Sequence, residues 1–480
     1  MVLPRASDPS GPETHAEDET VTRLASVVGA LSYALDLTEG QPAGHSVRTT
    51  LIGMRLAAEL GLDELARSEL FYGLLLKDLG CSSNASRLAG LFGSDDHLLK
   101  HAHKLTDWTA TSEAARYAYK HSLPGGSRLA RAWHALMLGT RAKEIGREMI
   151  ATRCERGADI AAMLGLPAGS AAAIRGLDEH WDGNGMPFGL VGTATPILAR
   201  IAGLSQTVEV FARSFDVRTA YEMARARQGR WFDPVLVEAL GAFEFDAAFW
   251  ADLRGANSLV ALADVEPRDR LVHADERQLD QIAEGFARVI DAKSPFTSTH
   301  SQNVAFLSSR TAAEMGLAHG EIRTIRRAAL LHDIGKLGVS NRILDKPAAL
   351  DPVEFQLMQQ HTRYTFEILS QVSRFRTFAA TAAAHHERLD GSGYHLGLRG
   401  EELGTAARIL AVADCTEAMM ADRPYRAGLG LEETVDRLRK LAARGHLCAS
   451  ATEALTGWFK ALPNASSPAP AAQASGPMAA

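Results

Sequence analysis

Cysteine is scarce in this 480-residue chain, and so are long apolar runs and basic charge. The 4 cysteines form no CxxC pair, which excludes a disulfide scaffold and the usual thiolate zinc sites and favours a reducing compartment. No uncharged apolar run approaches the roughly 18 to 20 residues of a membrane span, and no signal-peptide segment opens the sequence. The formal charge of −6 argues against general binding of nucleic-acid polymers, which requires a basic surface. We therefore expect a cytoplasmic protein with no membrane or nucleic-acid partner.

Alternating β-type patterns are also rare, whereas apolar residues recur at helical spacing. One stripe runs from His300 through Val304 and Leu307 and ends at Gly316, and a second helical run ends near Gly335. The sequence therefore predicts an all-α fold.

The same sequence theme occurs twice, which indicates a duplicated unit. GHSVRTTLIGMRLAAELGL and LFYGLLLKDLG are similar to THSQNVAFLSSRTAAEMGL and AALLHDIGKLG, and both pairs are 255 residues apart. DEHWDGNGMPFGL and ARIAGLSQ are similar to HERLDGSGYHLGL and ARILAVAD, and these pairs are 208 residues apart. The difference of 47 residues predicts an insertion in the front copy, within residues 90–145. We predict related helical domains at 21–250 and 275–462, a linker at 251–274, and disordered segments at 1–20 and 463–480.

Seven polar residues interrupt the apolar helical faces of the second copy, and their burial is costly unless a partner or a metal neutralises them. They are His300, His332, Asp333, His361, His385, His386 and Asp414. A set of imidazoles and carboxylates without thiolates suits Fe, Mn or Co better than structural zinc. Seven ligands exceed the needs of one ion, so we expect two ions about 3.5 to 4 Å apart, bridged by Asp333. Such a pair lowers the pKa of a shared water and stabilises both oxygens of an in-line phosphoryl displacement.

Four motifs in order, HDIGKLGVSNRIL, HHERLDGSGYHLGLRG, ARILAVADCTEAM and ADRPYR, resemble the HD-GYP phosphodiesterases, a branch of the HD-domain metal phosphohydrolases. The resemblance covers residues 280–435 and implies tandem HD-type domains, the second of them with a dinuclear metal site. It implies hydrolysis of a cyclic dinucleotide, chiefly cyclic di-GMP, to linear pGpG, with GMP as a further product left open. The implied cofactors are two divalent ions, Fe or Mn. Protein partners such as diguanylate cyclases, and a homodimer, are compatible with it.

The resemblance also implies a role for each site residue. The ligands implied for one ion are His300, His332, Asp333 and Asp414. The ligands implied for the other are His361, His385 and His386, with Asp333 shared. Lys336 would contact the scissile phosphate and complete a catalytic set with His332 and Asp333. Arg423 and Arg426 would bind phosphate oxygens, and Tyr394 would line the substrate pocket.

Three features depart from the family pattern. One lies near the end of the family domain, where Cys-Ala-Ser at 448–450 replaces a Phe-Asp-Pro that the front copy retains at 232–234. The GYP-like turn reads Gly393-Tyr394-His395, which bears on loop geometry and substrate choice more than on metal binding. Family members with a third metal carry a Glu one turn before the first His, and this chain has Phe296 there, so we expect two ions.

The front copy lacks most of the implied ligands. At the two offsets, His332 is matched by Lys77, His361 by Arg153, and His385 by Leu177. Fixed positive charge in place of two dications predicts a degenerate HD-like domain without metal or catalysis. We expect it to pack against or regulate the second copy, with binding of an uncut phosphate ligand as the alternative.

Three alternatives to hydrolysis of cyclic di-GMP stay open. The first is a phosphodiesterase of 3′,3′-cyclic GMP-AMP, which the altered GYH turn and the duplication suggest. The second is a non-catalytic nucleotide-binding signalling adaptor, which the decayed front copy suggests. The third is a mononucleotide phosphohydrolase, which is disfavoured by the long HHExxDGxGY block.

Overall fold

The computed structural model describes residues 22–255, 259–267, 273–394, 396–422 and 427–461. The described residues are helical apart from turns and one antiparallel pair of two-residue strands, β1 (Thr22–Arg23) and β2 (His273–Ala274). The all-α prediction is therefore confirmed. The segments predicted to be disordered, 1–20 and 463–480, lie outside the described residues, as do His395, Arg423 and Arg426.

The front copy contains thirteen helices within the described residues, and each has a defined range. They are α1 (Leu24–Thr38), α2 (His45–Glu59), α3 (Glu64–Leu75), α4 (Ala85–Phe92), α5 (Asp96–Leu105), α6 (Thr111–His121), α7 (Arg128–Met163), α8 (Ala168–Gly176), α9 (Ile197–Ser214), α10 (Val217–Ala226), α11 (Pro234–Gly241), α12 (Ala247–Gly255) and α13 (Leu259–Val265). A 3₁₀ turn, Cys81–Asn84, follows α3.

The second copy repeats this order without α5, α6, α12, α13 and the first half of α7. Its helices are α14 (Glu276–Asp291), α15 (His300–Glu314), α16 (His319–Leu331), α17 (Asn341–Leu344), α18 (Pro352–Ser370), α19 (Arg376–Ala383), α20 (Thr405–Met420), α21 (Leu431–Ala443) and α22 (Ala449–Ala461). A 3₁₀ turn, Ile334–Gly338, follows α16. None of the described helices is both long and apolar enough to cross a bilayer.

Matching helices of the two copies begin and end for the same local reasons. Helix α2 is followed by Gly61 at φ 65° and α15 by Gly316 at φ 76°, a left-handed conformation that glycine adopts without a Cβ penalty. In each copy a buried carboxylate on the first helix accepts a hydrogen bond from the serine after the first histidine. These bonds, from Ser46 Oγ to Asp36 and from Ser301 Oγ to Asp291, are both 2.7 Å long.

The stretch expected as a linker, 251–274, contains the end of α12, all of α13 and β2. Helix α13 packs against α1 and α2, and Leu262 is 2% exposed. The predicted linker is thus largely structured in its described part, because its apolar residues find a groove on the front copy.

The two copies pack against each other through their first helices. Helix α1 of the front copy contacts the turn Ile334–Gly338 and α18, and α14 contacts the turn Cys81–Asn84 and α7. Leu31, Leu35 and Phe286 on these helices are fully buried in one continuous apolar core. The turn after each HD position is therefore held partly by the other copy.

A glycine in each of these turns permits a close approach to the following helix. A Cβ on Gly80 would lie 1.8 Å from Arg153 O, and a Cβ on Gly335 would lie 1.8 Å from His361 O. The same contact thus fixes the turn against α7 in one copy and against α18 in the other.

Replacing Gly80 with Ala should lower the free energy of unfolding by about 1 to 3 kcal/mol, because the added Cβ would overlap the backbone of α7. The matched control is Gly90→Ala in α4, where a Cβ meets nothing within 4 Å. That change should be neutral or stabilising by up to about 1 kcal/mol. Denaturant unfolding of both variants measures the difference, and equal stabilities would contradict the packing described.

Candidate metal centre

Five helices bring the seven sequence-predicted ligands to one place. His300 begins α15, His332 and Asp333 follow α16, His361 lies within α18, His385 and His386 follow α19, and Asp414 lies within α20. Six of the seven are fully or almost fully buried, and His386 is partly exposed. Six of them form two groups, and within each group the donor atoms lie within 4.8 Å of one another. One group is His300, His332 and Asp333, and the other is His361, His385 and His386.

Asp333 lies between the two groups and turns one carboxylate oxygen toward each. Its Oδ2 is 3.4 Å from His300 Nε2 and 3.3 Å from His332 Nε2. Its Oδ1 is 3.6 Å from Nε2 of both His361 and His385. Asp414 has a similar position, with Oδ1 3.5 Å from His300 Nε2 and Oδ2 3.8 Å from His386 Nδ1. This is the arrangement that a carboxylate bridging two ions requires.

The hydrogen bonds made by Nδ1, the ring nitrogen that faces away from the centre, show that this donor set fits cations. Nδ1 of three histidines lies 2.6 to 2.7 Å from a backbone carbonyl oxygen, for His332, His361 and His385. A carbonyl oxygen only accepts, so these Nδ1 atoms carry the proton and each Nε2 presents a lone pair to the centre. The Nε2 atoms of His361 and His385 face each other at 3.3 Å. Asp333 Oδ1 receives no hydrogen bond from any described residue, which leaves it available as a ligand.

Two opposite electrostatic effects act on the rings. Burial lowers the pKa of His361 to about 3 and also lowers the pKa of His385 and His386, so these rings stay neutral and able to bind a metal. His300 behaves differently: against the effect of burial, its hydrogen bonds to Asp333 and Glu417 raise its pKa to about 10. The half of the site around Asp333 therefore attracts positive charge strongly.

A cavity of about 290 Å³ opens next to the two groups. Its lining includes residues of the predicted site, namely Asp333, Lys336, His361, His386 and Tyr394. Lys336 Nζ donates to Asp333 Oδ2 at 2.5 Å, and the Tyr394 ring packs 4.4 Å from the His386 ring, measured between centroids. Phe296 also lines the cavity.

Sequence reasoning missed Glu417 and Thr365, which orient the predicted ligands. Glu417 Oε2 accepts from His300 Nδ1 at 2.5 Å, and Thr365 Oγ1 donates to the carbonyl of His332 at 2.9 Å. A carboxylate on the far nitrogen of a ligand histidine fixes its ring and strengthens its lone pair. One signal could have found Glu417: at the 208-residue offset it is matched by Glu209, which makes the same contact to His45.

In the front copy, side-chain cations occupy the corresponding region. Lys77 Nζ lies 3.0 Å from His45 Nε2 and is paired with Asp78, while Arg153 is paired with Asp178. Glu39, Asp78 and Cys81 also lie close enough together to share an ion. However, Lys104 of α5 approaches Glu39 to 2.9 Å and Asp78 to 3.6 Å. These buried ion pairs support the prediction that the front copy has lost its metal site.

The convergent histidines and the HD pair are a donor set that fits metal ions, and residues 284–449 match the HD domain family. The chain is 39% identical over 412 residues to the 3′3′-cGAMP-specific phosphodiesterase 3 of Vibrio cholerae, covering 86% of this chain and 89% of that protein. A crystal structure of the cyclic GMP-AMP specific phosphodiesterase V-cGAP3 of V. cholerae covers 92% of this chain and 99% of its own, with 33% identity and a TM-score of 0.64.

A cyclic di-GMP phosphodiesterase of Thermotoga maritima is 43% identical over 150 residues, which are 31% of this chain and 41% of that protein. The similarity to the V. cholerae protein extends over both copies, whereas the similarity to the T. maritima protein is confined to a shorter segment. The chain belongs to the HD-GYP family of phosphodiesterases.

Replacing Asp333 with Asn should lower the metal content of the purified protein from about two ions per chain to one or fewer, because one shared carboxylate would be lost from both groups. The matched control is Asp78→Asn, which changes the equivalent aspartate of the front copy and should leave the metal content unchanged. Elemental analysis of both variants after loading with Mn or Fe(II) measures this. Two ions retained by the Asp333 variant would refute the bridging role.

Proposed function

We propose that the substrate of this cyclic dinucleotide phosphodiesterase is 3′3′-cGAMP, and that the second copy carries out the hydrolysis. The observation that carries the choice is the full-length similarity to a 3′3′-cGAMP-specific enzyme, which includes the front copy. Cyclic di-GMP, the substrate that the motifs favour, is the second candidate, since the T. maritima relative that bears this name is 43% identical in the shorter segment.

The proposed ligand groups are those predicted from the sequence, with His300, His332 and Asp414 serving one ion, the other three histidines serving the second, and Asp333 shared. Mn or Fe ions bound there would supply Lewis acidity at the phosphoryl group and a nucleophilic water at neutral pH. The chain's own residues supply the rest. The neutral imidazoles direct their lone pairs to the centre, and the buried carboxylates would balance the charge of bound ions.

Lys336 and Tyr394 are proposed to hold the substrate. The Lys336 side chain is 23% exposed and lines the cavity, so its ammonium can stabilise the negative charge that develops on the phosphoryl oxygens. The rings of Tyr394 and Phe355 lie 5.8 Å apart and provide an aromatic surface for a nucleobase. Arg423 and Arg426 are proposed as further phosphate contacts on the basis of the RPYR motif alone.

The substrate assignment is tested by incubating the Mn-loaded and Fe(II)-loaded protein with 3′3′-cGAMP and with cyclic di-GMP and separating the products by chromatography. We expect kcat/KM for 3′3′-cGAMP to exceed that for cyclic di-GMP by at least about tenfold, which corresponds to about 1.4 kcal/mol in transition-state binding. The reverse ratio would assign the chain to cyclic di-GMP. Binding of a dinucleotide without turnover by fully metallated protein would identify the signalling adaptor.

The role of Lys336 is tested by Lys336→Met, which keeps the aliphatic stem and removes the ammonium. We expect kcat to fall about 100-fold or more, with metal content unchanged, because charge stabilisation in the transition state is lost. Lys440→Met is the control, since Lys440 is exposed on α21 and pairs only locally with Asp436. If Lys336→Met lowered metal content and kcat together, the lysine would serve the metal site and not the phosphate.

A further inference from the structure

Helix α5 belongs to the insertion of the front copy and has no equivalent in the second copy, yet it reaches the second copy directly. Its first residue, Asp96, is 0% exposed. Asp96 Oδ1 accepts hydrogen bonds from Asn341 N at 2.8 Å and from Ser340 Oγ at 3.3 Å. Its Oδ2 lies 3.3 Å from the ammonium of Lys293. One carboxylate of the insertion therefore satisfies three donors of the catalytic copy.

The segments held by Asp96 form part of the catalytic cavity. Lys293 and Ser294, after α14, line the same cavity as Lys336 and Tyr394, and so do Ile343 and Leu344 of α17. Asn341 Nδ2 donates to the carbonyl of Lys293 at 2.7 Å and so ties the two segments together. Ser294 Oγ and Asn341 Nδ2 both donate to Asp345 at 2.6 Å. Asp96 is thus the carboxylate through which the front copy joins the network that shapes this wall, and His97 Nε2, 3.1 Å from Lys293 Nζ, adds a second contact from α5.

The opposite end of α5 is joined to the ion pairs of the former metal site. Lys100 lies 3.8 Å from both Asp96 Oδ2 and Glu39 Oε1 and donates to the carbonyl of Thr38 at 2.8 Å. Lys104 contacts Glu39 and Asp78. A continuous set of buried charges therefore connects the front copy's former metal site to the wall of the active cavity.

Removing the Asp96 carboxylate leaves the Lys293 ammonium buried without its counter-charge, since Lys293 is 1% exposed. The segment can recover by moving Lys293 toward solvent, which displaces residues that line the cavity, or by loss of the Lys293 proton, since burial already lowers the pKa of this ammonium to about 8. Either response changes the wall of the cavity. His97 cannot replace the carboxylate, because burial lowers the pKa of this ring to about 4 and leaves it a neutral acceptor. Small displacements of positioning groups are sufficient to reduce catalysis about 100-fold.

We propose that Asp96 is a positioning residue through which the front copy sets the shape of the substrate cavity in the second copy. The proposal rests on the proposed function in that the cavity receives a cyclic dinucleotide. Asp96 contacts none of the seven metal-site residues, so its loss acts on dinucleotide binding and on discrimination between dinucleotides, and leaves metal content unchanged.

The experiment compares Asp96→Asn and Asp96→Ala in the full-length, metal-loaded protein. Asparagine keeps an oxygen for Asn341 and Ser340 but removes the charge that Lys293 requires, and alanine removes both. We expect KM for the preferred dinucleotide to rise about tenfold for Asp96→Asn and further for Asp96→Ala. The hydrogen exchange of residues 293–297 and 340–345 should become faster in both variants, while the exchange of α19 and α20 should not change.

Two further variants separate positioning from general destabilisation. In a Lys293→Met background no ammonium is left unpaired, so Asp96→Asn should have less effect on KM than in the wild-type background. The control for loss of a buried front-copy carboxylate is Asp233→Asn, since Asp233 is 4% exposed and pairs with Arg200 of its own copy. This control should lower thermal stability and leave KM and the exchange of 293–297 unchanged.

An unchanged KM in Asp96→Ala, or an equal change in Asp233→Asn, overturns the proposal. Failure of the proposed function is seen separately in the wild-type protein, which would then prefer cyclic di-GMP or turn over neither dinucleotide. In that case the exchange measurement still decides: protection at 293–297 and 340–345 that is insensitive to Asp96 overturns the positioning role, and loss of protection supports it.

Discussion

The geometry of the second copy depends on a concentration of lone pairs around one buried carboxylate. Asp333 presents one oxygen to each histidine group, and the backbone carbonyls hold the rings with their lone pairs directed inward. Lone pairs at this separation repel one another unless positive charge lies between them. The Gly335 contact with α18, the Thr365 bond to the His332 carbonyl and the packing of α1 on the following turn all serve to keep this arrangement in place.

The front copy meets the same constraint with its own side chains. Lys77, Lys104 and Arg153 supply the positive charge, and Glu209 still holds His45 as Glu417 holds His300. The fold of the copy and the orientation of its remaining histidine are therefore preserved although the metal ligands are not. Lys77 and Lys104 pair with Asp78 there, so the copy has ion pairs in place of metal ligands.

Most of the fold and of the ligand set could be predicted because both follow from local rules. Helical spacing, glycine stops at Gly61 and Gly316, and the two constant offsets gave the helices and the duplication. The motifs gave residues that the fold indeed brings together. Asp96, Lys293 and Glu417 could not be found in the same way, because their roles arise from contacts between residues more than 100 positions apart. The helical structure within 251–274 was not predicted either. Its few apolar residues, such as Leu262, are interspersed with charged residues, so the stretch shows no clear helical pattern.

The exchange of metal for lysine and arginine has a consequence for how the two halves respond to their surroundings. The front half carries its neutralising charges covalently, so its cohesion does not depend on the supply of transition metals. The second half brings together five imidazoles and two carboxylates, of which Asp333 pairs with Lys336, and on the proposed function two ions would balance the rest. On the proposed function, the order of the second half would therefore depend on the supply of metal, and that of the front half would not.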